Sequence, residues 1–185
     1  AAARALLAGH GIDGQRPVVA LCPGSTNSRA KRWPAERFAR LGDRLTGETN
    51  TDVILIGSPD EIPVSREVAA AMKQKPVVLT GATNLAEAVA VLGAVDLLIT
   101  NDTGPAHIAA ALDTPTLVIF GPTDPTTTRP FGDQATVIRH PPECAPCMLR
   151  DCPIDHRCMT AITPDEVFEQ SRAALQARAT VPITS

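Results

Sequence analysis

Five short apolar runs punctuate the chain, at 17–24 (PVVALCPG), 52–57 (DVILIG), 76–81 (PVVLTG), 96–100 (DLLIT) and 116–120 (TLVIF). All five end at, or directly before, a glycine or an Asn-Asp-Thr-Gly turn. Each run is unbroken rather than alternating, the mark of a strand buried on both faces. A weaker run, ATVIRH at 135–140, is a candidate sixth strand. Between the runs the apolar period changes to that of a helix. Phe38, Leu41 and Leu45 share one face after Pro34, which suits a first helical position. Ser58 stands three residues before Glu61, Thr163 three before Glu166, and Asn84 precedes an Ala-, Val- and Leu-rich segment. These are helix-start signals. They predict helices after 34, near 59–72, from 85, over 105–112 and over about 164–178.

Buried strands alternating with amphipathic helices predict an α/β fold, a Rossmann-like doubly wound parallel sheet. Residues 1–16 read as a linker or the end of a preceding element, and 17–185 as one domain. In such a fold ligands bind beyond the carboxyl ends of the strands. The loops that matter are therefore 22–33, 57–61, 80–84, 101–107 and 121–132, all polar and most of them glycine-bearing.

Composition narrows the function further. Lys and Arg total 17 against 20 Asp and Glu, a net charge of −3, so no global basic footprint for nucleic acid exists. Tyr is absent and Phe plus Trp total five, too few for base-stacking platforms. The chain has no apolar run near the roughly 20 residues of a membrane span, and its first residues lack the layout of a signal peptide. Nor does it contain G-x-G-x-x-G after a strand, G-x-x-x-x-G-K-[ST], G-x-S-x-G or H-E-x-x-H.

What the loops do contain suits an anion. In NDTGPAH, Asp102, Thr103 and Gly104 precede a helix whose first N–H groups and dipole favour phosphate. Thr103 adds a hydroxyl, Gly104 permits close approach, and His107 follows on the first turn as a candidate hydrogen-bond donor. The competing reading is that Asp102 or Thr103 simply caps the helix. The first loop offers Ser25, Thr26, Arg29, Lys31 and Arg32, with Lys31 the point charge best suited to phosphate. Glu61 is either the partner in its own capping box or an acceptor for ribose hydroxyls.

Four of five cysteines, Cys144, Cys147, Cys152 and Cys158, lie in a Cys-rich loop at 141–159 with spacing C-x2-C-x4-C-x5-C. One reading is a structural zinc site, with His156 as an alternative ligand; the others are free thiols or disulfides formed after purification. Cys22, at the end of the first strand, reads as a small buried hydrophobe.

Taken together, NDTGPAHIAAALDTPTLVIFGPTDP, PGSTNSRAKRWPAERFARL and IGSPDE resemble the bacterial heptosyltransferases of lipopolysaccharide core synthesis, glycosyltransferase family 9. The Cys-rich segment resembles a subset of the heptosyltransferase II group. The resemblance runs in order from about residue 17 to 175 and implies the C-terminal, donor-binding half of a two-domain GT-B glycosyltransferase. It implies ADP-heptose as donor, a lipid A-core acceptor, inversion at the anomeric centre, and no cofactor or metal in catalysis. It places Thr26 and Lys31 on the diphosphate or sugar, Glu61 on the ribose and Thr83 near the adenine. Asp102 falls on the heptose hydroxyls, Thr103 and Gly104 on phosphate, and His107 in support. Lys31 then stabilises the leaving group, while the catalytic base belongs to an acceptor domain that is not visible in this chain. The family works in the cytoplasm, and its lipid acceptor implies peripheral contact with the inner face of the bacterial inner membrane. Two other readings stay open at this stage: a non-catalytic nucleotide-binding module, and a GT-B enzyme using a UDP-sugar.

Overall fold

The apolar runs form a six-stranded, all-parallel sheet. The structure, a computed structural model, describes residues 2–180. The strands are β1 (Val18–Cys22), β2 (Asp52–Leu55), β3 (Val77–Val78), β4 (Leu97–Asn101), β5 (Thr116–Phe120) and β6 (Ala135–Arg139). Their order is β3-β2-β1-β4-β5-β6. The helices are α1 (Ala2–Gly9), α2 (Ala35–Thr49), α3 (Ile62–Ala71), α4 (Leu85–Leu92), α5 (Gly104–Ala111), α6 (Pro125–Thr128), α7 (Arg157–Thr160) and α8 (Pro164–Thr180).

The unbroken apolar runs now have a cause. Successive residues of a strand point to opposite faces, and both faces are covered. Val19, Leu21, Val53, Leu55, Leu97 and Ile99 pack with Phe38, Leu41 and Leu45 of α2, Val68 of α3 and Phe168 of α8. Their neighbours Val18, Ala20, Cys22, Ile54 and Leu98 pack on the other side with Leu7 of α1, Val91 and Leu92 of α4 and Ala109 of α5. The edge strands β3 and β6 are only partly buried.

Local signals landed within a residue or two of the expected ends. Pro34 is the residue before α2 rather than its first turn. Asn84 caps α4 through its Oδ1, which accepts from the Glu87 N–H at 2.9 Å, and the Glu87 carboxylate returns the bond to the Asn84 N–H. Thr163 accepts from the Glu166 N–H at 3.1 Å, but the Glu166 carboxylate pairs with His140 instead of closing a capping box. Ser58 and Glu61 flank a 3₁₀ turn (Pro59–Glu61) that runs into α3, with Pro63 tolerated in its first turn.

The strand order reverses direction between β1 and β4, the crevice where doubly wound sheets bind ligands. One side chain ties that crevice together. Asn101, at the end of β4 and fully buried, donates through Nδ2 to the carbonyls of Pro23 (2.9 Å) and Gly24 (3.0 Å). Its Oδ1 accepts the Trp33 N–H at 3.0 Å. Both ends of the loop after β1 are thus bolted to β4. Replacing Asn101 by Ala leaves three backbone groups without their partner. Asn101→Ala is expected to cost about 2–4 kcal/mol in urea unfolding; a loss within error of zero would contradict the bolt.

Candidate functional site

Beyond the carboxyl ends of β1, β2 and β4 lies a cavity of about 640 Å³. Thr26, Lys31, Glu61, Thr83, Asp102, Thr103, Gly104 and His107 all line it. Residues from four separate loops, selected on sequence grounds, therefore meet in one place.

Lys31 is the charge at its centre. Its Nζ donates to Asp102 Oδ2 at 2.9 Å and to the Asp102 carbonyl at 3.3 Å. Asp102 is only 3% exposed, and Lys31 25%. The same Oδ2 accepts the Thr123 hydroxyl at 2.7 Å, with the Thr128 hydroxyl at 3.5 Å. The other two cations of the loop turn away. Arg29 pairs with Asp151 at 2.7 Å, and Arg32 donates to the Ser25 carbonyl at 3.0 and 3.2 Å. Neither lines the cavity.

Asp102 does not cap α5, and neither does Thr103. Thr103 is the residue before the helix, but its hydroxyl lies 3.2 Å from the Thr100 hydroxyl and donates to the Asn101 carbonyl at 3.3 Å. No described side chain bonds the N-terminus of α5, which faces the cavity through Gly104. A Cβ built at Gly104 meets nothing within 4 Å. Neither packing nor backbone strain demands glycine there. His107 is exposed on the next turn of the helix.

Glu61 fills the capping role weighed for it and also lines the cavity. Its Oε2 accepts from the Ser58 N–H (2.8 Å) and hydroxyl (3.1 Å), closing the turn before α3. Its Oε1 takes no hydrogen bond from the described residues, and the residue lines the cavity. Glycines make room for it: a Cβ on Gly24 falls 2.2 Å from Glu61 Cδ, and one on Gly57 falls 2.8 Å from Oε2. Opposite the charges, Ile56, Ala88, Leu92, Ile108 and Leu85 form an apolar wall beside Thr83. Leu85 is 73% exposed.

Beneath the site, Cys22 is wholly buried. Burial, then the Glu61 charge, push its thiol up to about 12 from an ordinary 9.0. Its packing as a small hydrophobe is as expected.

The zinc site expected at Cys144, Cys147, Cys152 and Cys158 does not form. Among the described residues no three His, Cys, Asp or Glu side chains gather as a metal-ligand set. Their burial differs. Cys158, at the start of α7, sinks into the core with Met159 against Gly121, while Cys144 and Cys152 are exposed. Burial raises the Cys158 thiol, helped by the charges of Cys152, Cys147 and Cys144. All five cysteines are free thiols. The alternative ligand His156 is engaged elsewhere, its Nε2 donating to the Ala30 carbonyl at 2.6 Å. The Cys-rich segment instead straps the loop after β1. Ala30 N–H donates to the Arg150 carbonyl at 2.9 Å, the Ser28 hydroxyl to the same carbonyl at 3.2 Å, and Met148 N–H to the Pro122 carbonyl at 2.9 Å.

The geometry stands beside clear relationships. The sequence model of glycosyltransferase family 9 (heptosyltransferase) matches residues 2–157. The chain belongs to this family. It is 40% identical over 130 residues to lipooligosaccharide heptosyltransferase 2 of Haemophilus influenzae, covering 68% of this chain and 37% of that protein. It is 33% identical over 169 residues to lipopolysaccharide heptosyltransferase 2 of Salmonella typhimurium, covering 89% and 48%. Among solved structures, the ADP-heptose lipopolysaccharide heptosyltransferase II of E. coli superposes with a TM-score of 0.84 at 31% identity, over 97% of this chain and 52% of that one. The family 9 chain thus spans about half the length of these relatives, or less, and shares their Rossmann-like fold.

Two residues that matter to the site were not singled out from the sequence: Asn101 and Thr123. Both are buried polar residues at or just past the end of a buried strand, a signal that exists in the sequence but points to no particular partner. The glycines make a paired prediction. Gly24→Ala is expected to cost about 1–3 kcal/mol by displacing Glu61, whereas Gly104→Ala leaves the thermal midpoint unchanged. Equal loss in both would contradict the difference in space. Cys22 makes another. A thiol whose folded value is raised gives stability that is complete below pH 9 and is lost as pH rises toward 12. Stability is expected to fall over that window by up to about 1.4 kcal/mol per pH unit, and Cys22→Ala flattens that slope in urea unfolding.

Proposed function

We propose that this chain is the donor-binding part of an inverting heptosyltransferase, which moves heptose from ADP-heptose to the lipopolysaccharide inner core. The observation that carries the proposal is the convergence of Lys31, the N-terminus of α5, which no described side chain caps, and apolar lining residues in one cavity of nucleotide size. Membership of family 9 and the 31% identity to an ADP-heptose heptosyltransferase support it.

In this reading the adenine lies on Leu85, Ala88 and Ile108 beside Thr83, and the ribose hydroxyls donate to Glu61 Oε1. The diphosphate sits before α5, against Gly104 and Thr103, with Lys31 and Thr26 beside it and His107 as a further donor. Asp102 accepts from heptose hydroxyls. Transfer breaks the bond between the anomeric carbon and the phosphate oxygen, and that oxygen leaves with the electron pair. Negative charge grows on the diphosphate as the bond lengthens. Lys31 and the helix N-terminus are already in place to receive it, which is how a fixed electrostatic site lowers a barrier. The acceptor hydroxyl attacks the opposite face of the sugar and gives its proton to a base on the remainder of the protein, the acceptor-binding part. No cofactor enters these steps. The lipid-linked acceptor places the whole protein at the inner face of the bacterial inner membrane, by peripheral contact; no described helix is long and apolar enough to cross it.

Calorimetric titration with ADP, ADP-heptose and UDP tests the proposal. ADP and ADP-heptose are expected to bind, and UDP to bind much more weakly because a pyrimidine covers less of the apolar wall. Lys31→Ala is expected to weaken ADP by about 10–100-fold, the worth of a charge-assisted hydrogen bond to phosphate. UDP binding as tightly as ADP, or no effect of Lys31→Ala, contradicts it.

A further inference from the structure

On the reading that the cavity takes a diphosphate, a physical problem follows. Lys31 is already spoken for: its ammonium neutralises Asp102 at 2.9 Å. The Lys31 ammonium has three N–H donors, and where a phosphate takes over those that face Asp102 it strands a carboxylate that is 3% exposed. Leaving one member of a buried pair uncompensated is far more costly than forming the pair is favourable. A site arranged in this way would bind its anion poorly unless something else held the carboxylate.

A buried threonine hydroxyl does so. Thr123 follows β5 in the Gly-Pro-Thr-Asp-Pro turn, is 3% exposed, and donates its hydroxyl to Asp102 Oδ2 at 2.7 Å. The Thr128 hydroxyl, at the end of α6, lies 3.5 Å from the same oxygen but makes its shorter bond, 3.0 Å, to the Asp124 carbonyl. Thr123 does not line the cavity, so ligand contact does not account for its placement. Its loop is fixed from two directions. Asp124 caps α6 by accepting the Thr126 N–H at 3.0 Å, and the preceding Pro122 carbonyl takes the Met148 N–H from the Cys-rich strap.

We infer that Thr123 is a positioning residue: it keeps the Asp102 carboxylate hydrogen-bonded when Lys31 swings from Asp102 to the bound diphosphate. Its hydroxyl meets Oδ2, the oxygen that Lys31 vacates. Oδ1 receives no hydrogen bond from the described residues and stays open to a sugar hydroxyl. The arrangement lets one lysine serve two anions in turn without a bare buried charge at any stage. It also predicts that the benefit of Thr123 scales with the phosphate content of the ligand, because only phosphate calls Lys31 away.

The test has a ligand-free arm and a ligand arm, both on this chain. In the first, unfolding midpoints are measured for Thr123→Val in the wild-type and Lys31→Met backgrounds. Without Lys31 the carboxylate depends on Thr123, so the midpoint is expected to drop at least twice as far in Lys31→Met. Equal drops overturn the inference. In the second, adenosine, AMP and ADP are titrated into wild type, Thr123→Val and Thr123→Ser. Thr123→Val is expected to weaken ADP at least ten-fold and adenosine less than two-fold, with AMP between, and Thr123→Ser, which keeps the hydroxyl, to restore ADP binding. Equal weakening of adenosine and ADP means a general distortion of the site and overturns the inference, as does unchanged ADP affinity. If wild type binds none of the three while the midpoint drops remain unequal, the support of Asp102 by Thr123 stands and the nucleotide-donor reading falls.

Discussion

The site depends first on the side chain of Asn101. Its amide meets two carbonyls at one end of the loop after β1 and an N–H at the other. A buried primary amide has donors and an acceptor that must all be matched, so its surroundings are specified from three directions at once. Trp33, just past the loop, is held in addition by its ring N–H on the Ile162 carbonyl and by an edge-on contact with Phe38. Lys31 projects from a loop whose ends cannot drift. Asp102, the residue after Asn101, is placed by the same bolt.

Fixing the loop matters because the site carries its charge sparingly. Three cations lie in four residues of sequence, yet only Lys31 faces the cavity, and it is balanced by Asp102. A buried ion pair seldom adds stability over an apolar alternative. Its value here is poise: a cation held in low dielectric, aimed at a helix N-terminus, and releasable because its partner has other donors. The Cys-rich strap belongs to the same design. It contributes no metal-ligand set, but its backbone grips Ser28 and Ala30 on one side and Pro122 on the other, joining the Lys31 loop to the Thr123 loop.

Much of this was legible beforehand. The five apolar runs became β1 to β5, and even the weak run at 135–140 became β6, because a strand covered on both faces must be apolar at successive positions. The topology then put the glycine-bearing loops at one edge, so eight site residues could be named from loops far apart in sequence. The misses share a cause: they depend on what lies across the fold. The run at 76–81 pairs over only two residues, since β3 is an edge strand with no neighbour beyond it. The single-turn helices α6 and α7 have too few residues to carry a period. The cysteine spacing matched a zinc site, but spacing cannot tell that Cys158 packs in the core while Cys144 and Cys152 are exposed. Asn101 and Thr123 stood inside quoted motifs, and only their partners in space give them a role. Glu61 shows the reverse, since one of its oxygens satisfies the capping reading while the residue still lines the cavity, so two readings that the sequence set against each other are compatible.

A crystal structure of this family 9 chain grown with ADP tests the central claim most directly. The account predicts the diphosphate at the N-terminus of α5, Lys31 Nζ within hydrogen-bond distance of a phosphate oxygen, and the adenine against Leu85 and Ile108. A well-occupied ADP lying outside this cavity, or one seated in it with Lys31 still bound only to Asp102, would contradict it.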